Sequence, residues 1–400
     1  MKHLSWKMTS GIIAGALFLS ACDSSGINSA SESANDVSVE NGSVIAGKYI
    51  VVLKKNQVAG KTAQDFVDDY ATKEGIVSEQ RYYGGILGFA GAISDKQLGI
   101  LRSDPNVAYI EPDRVISLPP FEMEGGHDII ANPKPGNPGG GGGGGGTGAQ
   151  TIPWGIARVN GGATYTGNNV AWILDTGIDL DHPDLNVDVT RSVSFLGGAQ
   201  STNPNDENGH GTHVSGTIAG INNTEGVVGV AAGATVISVR VLDRRGSGSY
   251  SGVIAGIEYV GANGDAGDVA NMSLGGGFSQ AVNDAVIAAS AQVKFALAAG
   301  NESTLAETKS PASANGNNIY TICAIAEGDK WASYSNYGSP PVDFCEPGSS
   351  ILSTWKDAGY NTISGTSMAT PHAAGILLLG AIQNGGSVGG PDRSYTIGVH

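Results

Sequence analysis

The chain has 400 residues, which is enough for two or three domains of about 150 residues each. It contains 62 glycines, and 22 basic residues against 37 acidic ones give a net charge of −15. This acidity argues against a nucleic-acid partner, because phosphate binding needs clusters of Lys and Arg. The apolar fraction of 40% excludes a wholly disordered chain, and three cysteines are too few for a disulfide scaffold.

The N-terminus is typical of an export signal. Lys2 and Lys7 precede an apolar stretch at residues 11–19, which is short for a membrane span. The following Leu19-Ser20-Ala21-Cys22 resembles a bacterial lipoprotein box, which implies cleavage before Cys22 and acylation of its thiol. The alternative is an ordinary signal peptide that is cut nearby, with Cys22 incidental.

Two polar segments divide the rest of the chain. Residues 23–46 are rich in Ser, Asn, Asp and Glu, which predicts a flexible tether. Residues 119–149 contain several prolines and eight consecutive glycines at 139–146, and glycine loses the most backbone entropy on ordering. We therefore expect two folded units, at residues 47–118 and 150–400.

The first unit has the pattern of a small α+β domain. Strands are predicted at 49–53, 79–83, 87–93 and 107–110, and helices at 62–73 and 95–103. The order β-α-β-β-α-β predicts a split βαβ, ferredoxin-like fold. Taken alone, this unit reads as a binding or dimerisation domain.

The second unit alternates apolar strands with helices. Strands are predicted at 170–174, 236–242, 269–274 and 294–299, and helices at 250–263 and 279–292. This alternation predicts an α/β, three-layer domain with a parallel sheet. Ligands of such sheets bind beyond the carboxyl ends of the strands.

Three candidate catalytic groups lie at the ends of predicted elements. Asp175 ends the first strand, His210 opens a small-residue helix and Ser367 opens a later helix. A serine hydroxyl needs an adjacent base, His provides one near neutral pH, and Asp orients the imidazole and stabilises its protonated form. Singly, each residue is also explained as a helix cap or a turn residue; together they predict nucleophilic catalysis.

The motifs around these residues are long. "LDTGIDLDHPDL", "NGHGTHVSGTIAG" and "GTSMATPHAAG" resemble the subtilisin-like serine protease family, and "ILSTW" with "ISGTSMATPHAAG" is similar to its proteinase K branch. The resemblance covers most of residues 150–380. It implies an oxyanion hole formed by the Asn301 amide and the Ser367 backbone N–H. In the first unit, "GKYIVVLKK" and "NVAYIEPDRVISL" resemble the inhibitory propeptide of these proteases, which implies that its C-terminal strand lies in the substrate cleft.

The resemblance also implies a substrate cleft. A substrate is expected to bind as an extended strand along one segment, while a second segment forms the facing wall of the S1 pocket. These are Ser273, Leu274 and Gly275, then Ala298, Ala299 and Gly300. Because these walls are small and uncharged, we expect an apolar or aromatic P1 residue.

Calcium is the expected metal. The loop at 221–227 resembles a calcium loop of secreted subtilisins, with ligands from Gln150, Asp184, Ile221, Asn223, Glu225 and Val227. A second site is implied by Asp343 with the carbonyls of Tyr320 and Ile322. The alternatives are a surface loop without metal and a zinc site at His210 and His213; a catalytic role explains His210 better than zinc binding does. No organic cofactor is expected.

Two further features concern the C-terminal third. Cys323 and Cys345 lie in strand-like segments, and an exported location allows a disulfide between them; two free buried thiols are the alternative. Only 33 residues follow Ser367, where the family usually has another helix and strand. We expect a helix at 367–383 and a missing or replaced part of the outer shell.

The sequence thus predicts a secreted or membrane-tethered serine endopeptidase, made as a zymogen that cleaves itself within about residues 118–150. Its expected partners are protein or peptide substrates, its own propeptide, and the membrane through the lipid anchor, and we expect a monomer exported from a bacterial cell. The alternative is a catalytically silent, peptide-binding pseudoprotease.

Overall fold

The unit at the N-terminal side is built from four strands and two helices. The computed structural model describes residues 40–58, 60–118 and 150–400; the predicted signal, Cys22, most of the tether and the glycine-rich linker lie outside these ranges. The elements are β1 (Val44–Leu53), α1 (Ala63–Lys73), β2 (Ser78–Tyr82), β3 (Gly88–Ala92), α2 (Asp95–Ser103) and β4 (Val107–Ser117). The strands form an antiparallel sheet in the order β4-β1-β3-β2, as a split βαβ fold requires.

Both helices of this unit begin at side-chain caps. The Thr62 hydroxyl accepts a hydrogen bond from Asp65 N (3.0 Å), and Ser94 and Gln97 form a capping box. Leu98 and Leu101 of α2 are buried against the sheet, as the spacing predicted. Local sequence signals therefore fix both helix starts.

Two strands of this sheet are longer than the sequence pattern predicted. β1 begins at Val44 rather than at 49, and β4 continues to Ser117 rather than ending at 110. Residues 40–43, which we placed in the tether, lie beside β4: Gly42 N donates to Val115 O (2.8 Å), and Val115 N donates to Ser43 O (2.9 Å). These strands are extended because distant segments of the chain pair with them. Such pairing does not require alternating apolar residues, so the sequence pattern did not show it.

The second unit contains helices on both faces of a large sheet. Its helices are α3 (Trp154–Arg158), α4 (His210–Ala219), α5 (Tyr250–Asn263), α6 (Gln280–Ala289) and α7 (Thr366–Leu379). Its strands are β5 (Ala163–Thr164), β6 (Ala171–Asp175), β7 (Asn186–Val187), β8 (Val193–Ser194), β9 (Ala231–Ala232), β10 (Thr235–Arg240), β11 (Ser247–Ser249), β12 (Val269–Met272), β13 (Gly276–Gly277), β14 (Lys294–Ala298), β15 (Lys309–Ser310), β16 (Ile319–Ala326), β17 (Lys330–Trp331), β18 (Val342–Pro347), β19 (Ile351–Trp355), β20 (Gly359–Ile363), β21 (Gln383–Gly389) and β22 (Ser394–Val399). Within the described ranges, no helix is long and apolar enough to cross a membrane.

The main sheet confirms the predicted α/β fold. Its strand order is β21-β22-β18-β16-β14-β12-β6-β10-β7, and every pair from β22 to β7 is parallel. β14, β12 and β6 are neighbours at the centre, and all residues of β6 and β12 are buried. The segments that follow these three strands therefore emerge side by side at one edge of the sheet.

The C-terminal end differs from the prediction. α7 ends at Leu379, so the predicted helix to residue 383 is wrong over its last turn, and Gln383 begins β21 instead. β21 and β22 form a hairpin that adds to β18, burying Val388, Tyr395 and Ile397. The outer shell at this edge is thus replaced by a hairpin, because Gly380 ends the helix and the following glycines favour a tight return.

Cys323 and Cys345 lie directly opposite each other on β16 and β18. Their Cα atoms are 4.3 Å apart, and the two sulfurs are joined as a disulfide that bridges neighbouring parallel strands.

The inhibitor-like sheet packs on α5 and α6 through apolar residues. Ile50, Val52, Tyr82, Ile86 and Ile116 belong to the same buried cluster as residues of α5, α6 and the central strands. β4 also pairs antiparallel with β11, so the small sheet continues into the second unit. The described residues all fall within one compact unit, Val39–His400.

Carboxylates complete this interface at the ends of helices. Glu111 accepts hydrogen bonds from Ser279 Oγ (2.7 Å) and Ala281 N (3.1 Å) at the start of α6. Asp113 accepts from Ser251 Oγ (2.6 Å) and Ser251 N (3.1 Å) at the start of α5. Helix N-termini present unpaired N–H groups and a partial positive charge, so they suit carboxylates.

A third carboxylate belongs to the second unit and binds backbone N–H groups of the first. Glu258 of α5 accepts hydrogen bonds from the backbone N–H groups of Gly84, Gly85 and Ile86 at 2.8–2.9 Å. Burial raises the pKa of Glu258, and the three donors act against that rise. The turn between β2 and β3 is thereby tied to α5.

We predict that Glu258→Ala lowers the free energy of unfolding by about 2–3 kcal/mol, because three backbone donors lose a charged acceptor. The measurement is urea denaturation of the full chain in a Ser367→Ala background, which prevents self-digestion. Glu79→Ala, which removes an exposed pair with Lys48, is the control and should change stability by less than about 0.5 kcal/mol. Equal effects of the two substitutions would contradict the assignment.

Candidate active site

The geometry of Asp175 and His210 is that of an oriented base. His210 Nδ1 lies 2.8 Å from Asp175 Oδ1, and both side chains are almost fully buried. The same carboxylate oxygen accepts a hydrogen bond from Thr176 N (2.7 Å). With Nδ1–H donated to the carboxylate, Nε2 is the ring nitrogen that can take up a proton.

The close approach of α4 to the end of β6 makes this pair possible. A Cβ atom at Gly211 would collide with the Gly177 carbonyl oxygen and touch the Asp175 side chain. Gly211 N donates a hydrogen bond to Thr176 Oγ1 (3.0 Å) across the same contact. Glycine is therefore required directly after His210, which explains its place in the motif.

Asp206 organises this contact and was not among the residues expected from the sequence. Its carboxylate accepts hydrogen bonds from Thr176 Oγ1 (2.9 Å), Gly209 N (2.9 Å), Thr212 N (3.0 Å) and Thr212 Oγ1 (2.7 Å). The signal for it was present, because an Asp just before a helix start is a common capping residue.

Ser367 lies at the start of α7, beside the end of β12. Its hydroxyl donates to Ser273 O (3.0 Å), and the Ser273 hydroxyl donates to Ser367 O (2.7 Å). α7 packs against α4, and both helices begin at the carboxyl edge of the sheet. The structure thus brings the three candidate catalytic residues to one edge.

Asn301 follows β14 and is oriented by Thr366. Its side-chain Oδ1 accepts hydrogen bonds from Thr366 N and Thr366 Oγ1, each at 2.8 Å. Since a backbone N–H can only donate, this identifies the oxygen of the amide and leaves Nδ2 as a donor. Asn301 and Ser367 line the same pocket.

This pocket includes five of the six substrate-binding residues expected from the sequence, and two charged residues that were not expected. The sixth, Ser273, is fully buried, and its hydroxyl donates to Ser367 O. Leu274, Gly275, Ala298, Ala299 and Gly300 line it together with Glu302 and Lys309. Lys309 Nζ lies 3.0 Å from Glu302 Oε1, and Glu302 Oε2 accepts from Asn336 Nδ2 (2.7 Å). The uncharged lining predicted from the wall segments is therefore incomplete. Lys309 lies eight residues after Asn301, and it reaches the pocket because β15 pairs with β13, a contact that the apolar pattern does not indicate.

The six residues expected to bind calcium lie together. The Gln150 amide nitrogen is surrounded by four oxygens: Ile221 O (2.5 Å), Glu225 O (3.2 Å), Asn223 Oδ1 (3.3 Å) and Val227 O (3.3 Å). Asp184 Oδ1 accepts from Asn223 Nδ2 (2.8 Å) beside this ring, and burial raises the pKa of Asp184 to about 6. A ring of carbonyl, amide and carboxylate oxygens is the donor set that a calcium ion requires, so these residues fit the ion.

The second expected calcium site is less complete. Asp343 Oδ2 accepts a hydrogen bond from Thr321 N (2.9 Å), which places it beside the Tyr320–Ile322 segment. The Ile322 carbonyl already accepts from Ala299 N (3.0 Å). Among the described residues, no group of three or more His, Cys, Asp and Glu side chains surrounds a metal-sized position.

His213 is placed as a structural residue. Its Nε2 lies 2.9 Å from Ile351 O, whereas the His210 ring faces Asp175. Burial lowers the pKa of His213 to about 3, so this imidazole is neutral. The two histidines of the His-x-x-His motif therefore have separate partners.

Comparison with known proteins gives consistent matches over both units. The Subtilase family matches residues 168–384, and the Peptidase inhibitor I9 family matches residues 48–119. The cuticle-degrading protease of Metarhizium anisopliae is 38% identical over 358 residues, covering 85% of this chain and 81% of the relative. Subtilisin E of Bacillus subtilis is 37% identical over 341 residues, covering 83% and 79%.

A third relative is longer. The alkaline serine exoprotease A of Vibrio alginolyticus is 38% identical over 359 residues, which are 85% of this chain but 61% of that protein. Together with the family match over more than half of the residues, these similarities are decisive: the chain belongs to the subtilase family and carries an I9-type inhibitor domain in front of its peptidase domain.

Proposed function

We propose that the protein is a serine endopeptidase made as an inhibited zymogen, with Asp175, His210 and Ser367 as its catalytic triad. The observation that carries this proposal is the 2.8 Å contact between Asp175 Oδ1 and His210 Nδ1, at the edge of the sheet where Ser367 begins α7. Membership of the subtilase family supports the reaction type.

The residues suit acyl transfer in two steps. His210 Nε2 takes the proton of Ser367 as Oγ attacks the scissile carbonyl, and Asp175 stabilises the imidazolium that forms. Asn301 Nδ2 and the Ser367 backbone N–H donate to the oxyanion. The tetrahedral intermediate then collapses, the amine leaves with the proton from His210, and an acyl ester remains on Ser367. A water molecule, deprotonated by His210, releases the acid by the same route.

The surrounding contacts support a preorganised site. Thr366 holds the Asn301 amide with two hydrogen bonds before any substrate arrives, so its donor needs little reorganisation when charge develops. Ser273 holds the start of α7, and Asp206 holds the start of α4. These are positioning residues for the reaction.

The proposal includes inhibition and export. Residues 47–118 inhibit the peptidase, self-cleavage within about 118–150 separates the two units, and Cys22 anchors the precursor to the cell envelope through a lipid. The export of the protease rests on the signal-like N-terminus and on the likeness to subtilisins. The inhibitory role is supported by β4, which pairs with β11 and is linked through Asn41 to Gly275, a residue that lines the pocket.

For substrate preference, we propose an apolar or aromatic P1 residue. Leu274, Ala298 and Ala299 supply the apolar walls of the pocket, and the Lys309 charge is paired with Glu302. Because the Lys309 charge is paired, we propose that the apolar walls determine which P1 side chain binds.

For cofactors, we propose calcium as a structural ion held by Gln150, Asp184, Asn223 and the carbonyls of the 221–227 loop. Calcium would neutralise the buried Asp184 carboxylate and fix the loop against the start of the peptidase domain. A second ion at Asp343, Tyr320 and Ile322 belongs to the same proposal, supported by the position of Asp343 beside that strand.

The first prediction tests the nucleophile. Ser367→Ala should abolish peptide hydrolysis and leave the full-length precursor uncleaved, because no other group forms the acyl ester. The measurements are gel analysis of the precursor and labelling by a fluorophosphonate, which reacts only with an activated serine. Ser364→Ala, a serine three residues away that binds Ser350 N, is the control and should process normally. Undiminished processing of Ser367→Ala would contradict the mechanism, and an unlabelled native chain would favour a pseudoprotease.

The second prediction tests the pocket. Peptides with P1 Phe should be cleaved with a kcat/KM about 10- to 100-fold above that of P1 Gly, since burying an aromatic side chain contributes about 1.5–3 kcal/mol. Lys309→Met should keep this preference if the apolar walls carry it. Loss of the Phe preference in Lys309→Met would show that the ion pair, rather than the walls, shapes the pocket.

The third prediction concerns calcium. In a Ser367→Ala background, calcium at about 100 times its Kd should stabilise the fold by about 2.7 kcal/mol, seen as a higher Tm that EDTA reverses. Asp184→Asn should lose this response, while the surface variant Asp357→Asn should keep it. A Tm that does not respond to calcium in the parent chain would overturn the site.

A further inference from the structure

A short segment in front of the inhibitor sheet reaches the active-site cleft. Residues 40–43 lie along β4 on the side opposite to β11, joined by the hydrogen bonds of Gly42 and Ser43 to Val115. Arg114 Nη1 donates to Gly42 O (2.9 Å) and fixes the segment further. β4 is therefore held between β11 and residues 40–43.

Asn41 links this segment to Gly275, which lines the cleft. Its Oδ1 accepts a hydrogen bond from Ser117 N (3.1 Å), and its Nδ2 donates to Gly275 O (3.1 Å). Because Ser117 N–H can only donate and the Gly275 carbonyl can only accept, the orientation of the amide is fixed by its partners. The Asn41 side chain thus bridges β4 and the Gly275 segment. It offers one donor and one acceptor, as the peptide group of a paired strand does.

We propose that Asn41 is part of the inhibitory contact and ties the inhibitor strand to the cleft edge at Gly275. This rests on the proposed peptidase function and on the expectation that substrate binds along the segment that contains Leu274 and Gly275. A substrate strand that adds to this edge needs backbone acceptors for its own N–H groups. Asn41 Nδ2 already donates to the Gly275 carbonyl, so this carbonyl is not available to a substrate N–H group. The segment at 40–43 therefore competes with substrate at the Gly275 edge of the cleft, whereas β4 pairs with β11.

The contact explains why residues 40–43 are ordered against the protease. Without Asn41, β4 would be attached to the cleft through β11 alone, and its Ser117 N–H would have no partner on the other side. The inhibitor domain is therefore longer than the sequence pattern indicates: it begins with the segment that contains Asn41.

The test compares two substitutions of Asn41. Asn41→Asp keeps the acceptor for Ser117 N–H but removes the donor to Gly275 O and sets a carboxylate against that carbonyl. Asn41→Ala removes both bonds. Asn106→Ala, whose amide bonds Asp104 within the inhibitor, is the matched control.

The readout is the initial rate at which a fluorophosphonate labels the freshly purified full-length chain. We expect labelling to rise about three- to tenfold in Asn41→Ala, at least as much in Asn41→Asp, and less than twofold in Asn106→Ala. Hydrogen exchange at Ser117 should accelerate in Asn41→Ala and remain slow in Asn41→Asp, which shows that the variant is folded and that the Gly275 bond is responsible.

Labelling of Asn41→Asp at the native rate would overturn the proposal. A rise of the same size in Asn106→Ala would also overturn it, because the effect would then come from general loosening of the inhibitor. If no variant is labelled even after long incubation, the peptidase function itself fails, and the inhibitory role of Asn41 fails with it; native labelling that increases as the inhibitor is cleaved shows that the function stands.

Discussion

The approach of α4 to the carboxyl end of β6 is the constraint on which the site depends. Gly211 lets the helix backbone meet the Gly177 carbonyl, and this contact holds His210 against Asp175 at hydrogen-bond distance. Asp206 then fixes both sides of the contact, through Thr176 on the strand side and Thr212 on the helix side. A side chain at position 211 would push the helix away, and the imidazole would lose the carboxylate that selects its tautomer.

The same chemistry, a carboxylate on backbone N–H groups, holds the inhibitor. Glu111 and Asp113 bind the starts of α6 and α5, but these helices also have their own hydroxyl caps: Ser279 accepts from Val282 N, and Ser249 accepts from Gly252 N. The inhibitor therefore adds to caps that the peptidase already carries. After the cleavage proposed above, these hydroxyl caps would still satisfy part of the helix ends.

Much of this architecture could be predicted from the sequence because the signals were local. The helical spacing of apolar residues predicted α1 and α2, the alternation of strands and helices predicted the parallel sheet, and the long motifs placed Asp175, His210 and Ser367 at element ends. The parts that could not be predicted depend on partners far along the chain. β4 extends to Ser117 because β11 and residues 40–43 pair with it, and Lys309 reaches the pocket through the pairing of β15 with β13. The C-terminal hairpin was missed because α7 has an apolar pattern up to Leu379, and the position of the helix end depends on Gly380.

The distribution of charge shows what holds the two units together. Residues 150–400 contain 21 acidic and 10 basic residues, a net charge of −11, whereas residues 47–118 contain nine of each. The carboxylates that the inhibitor directs at this acidic surface gain nothing from the net charge, and salt screens that charge beyond about 8–10 Å. They are stabilised locally by helix N-termini, while Ile50, Tyr82 and Ile116 share one buried cluster with α5 and α6. Burial of apolar surface therefore contributes attraction that the net charge does not, and the carboxylates fix which groups meet at the helix starts. Because this cluster includes residues of the central strands β6, β10 and β12, the inhibitor sheet covers the helices that pack on the core of the peptidase itself.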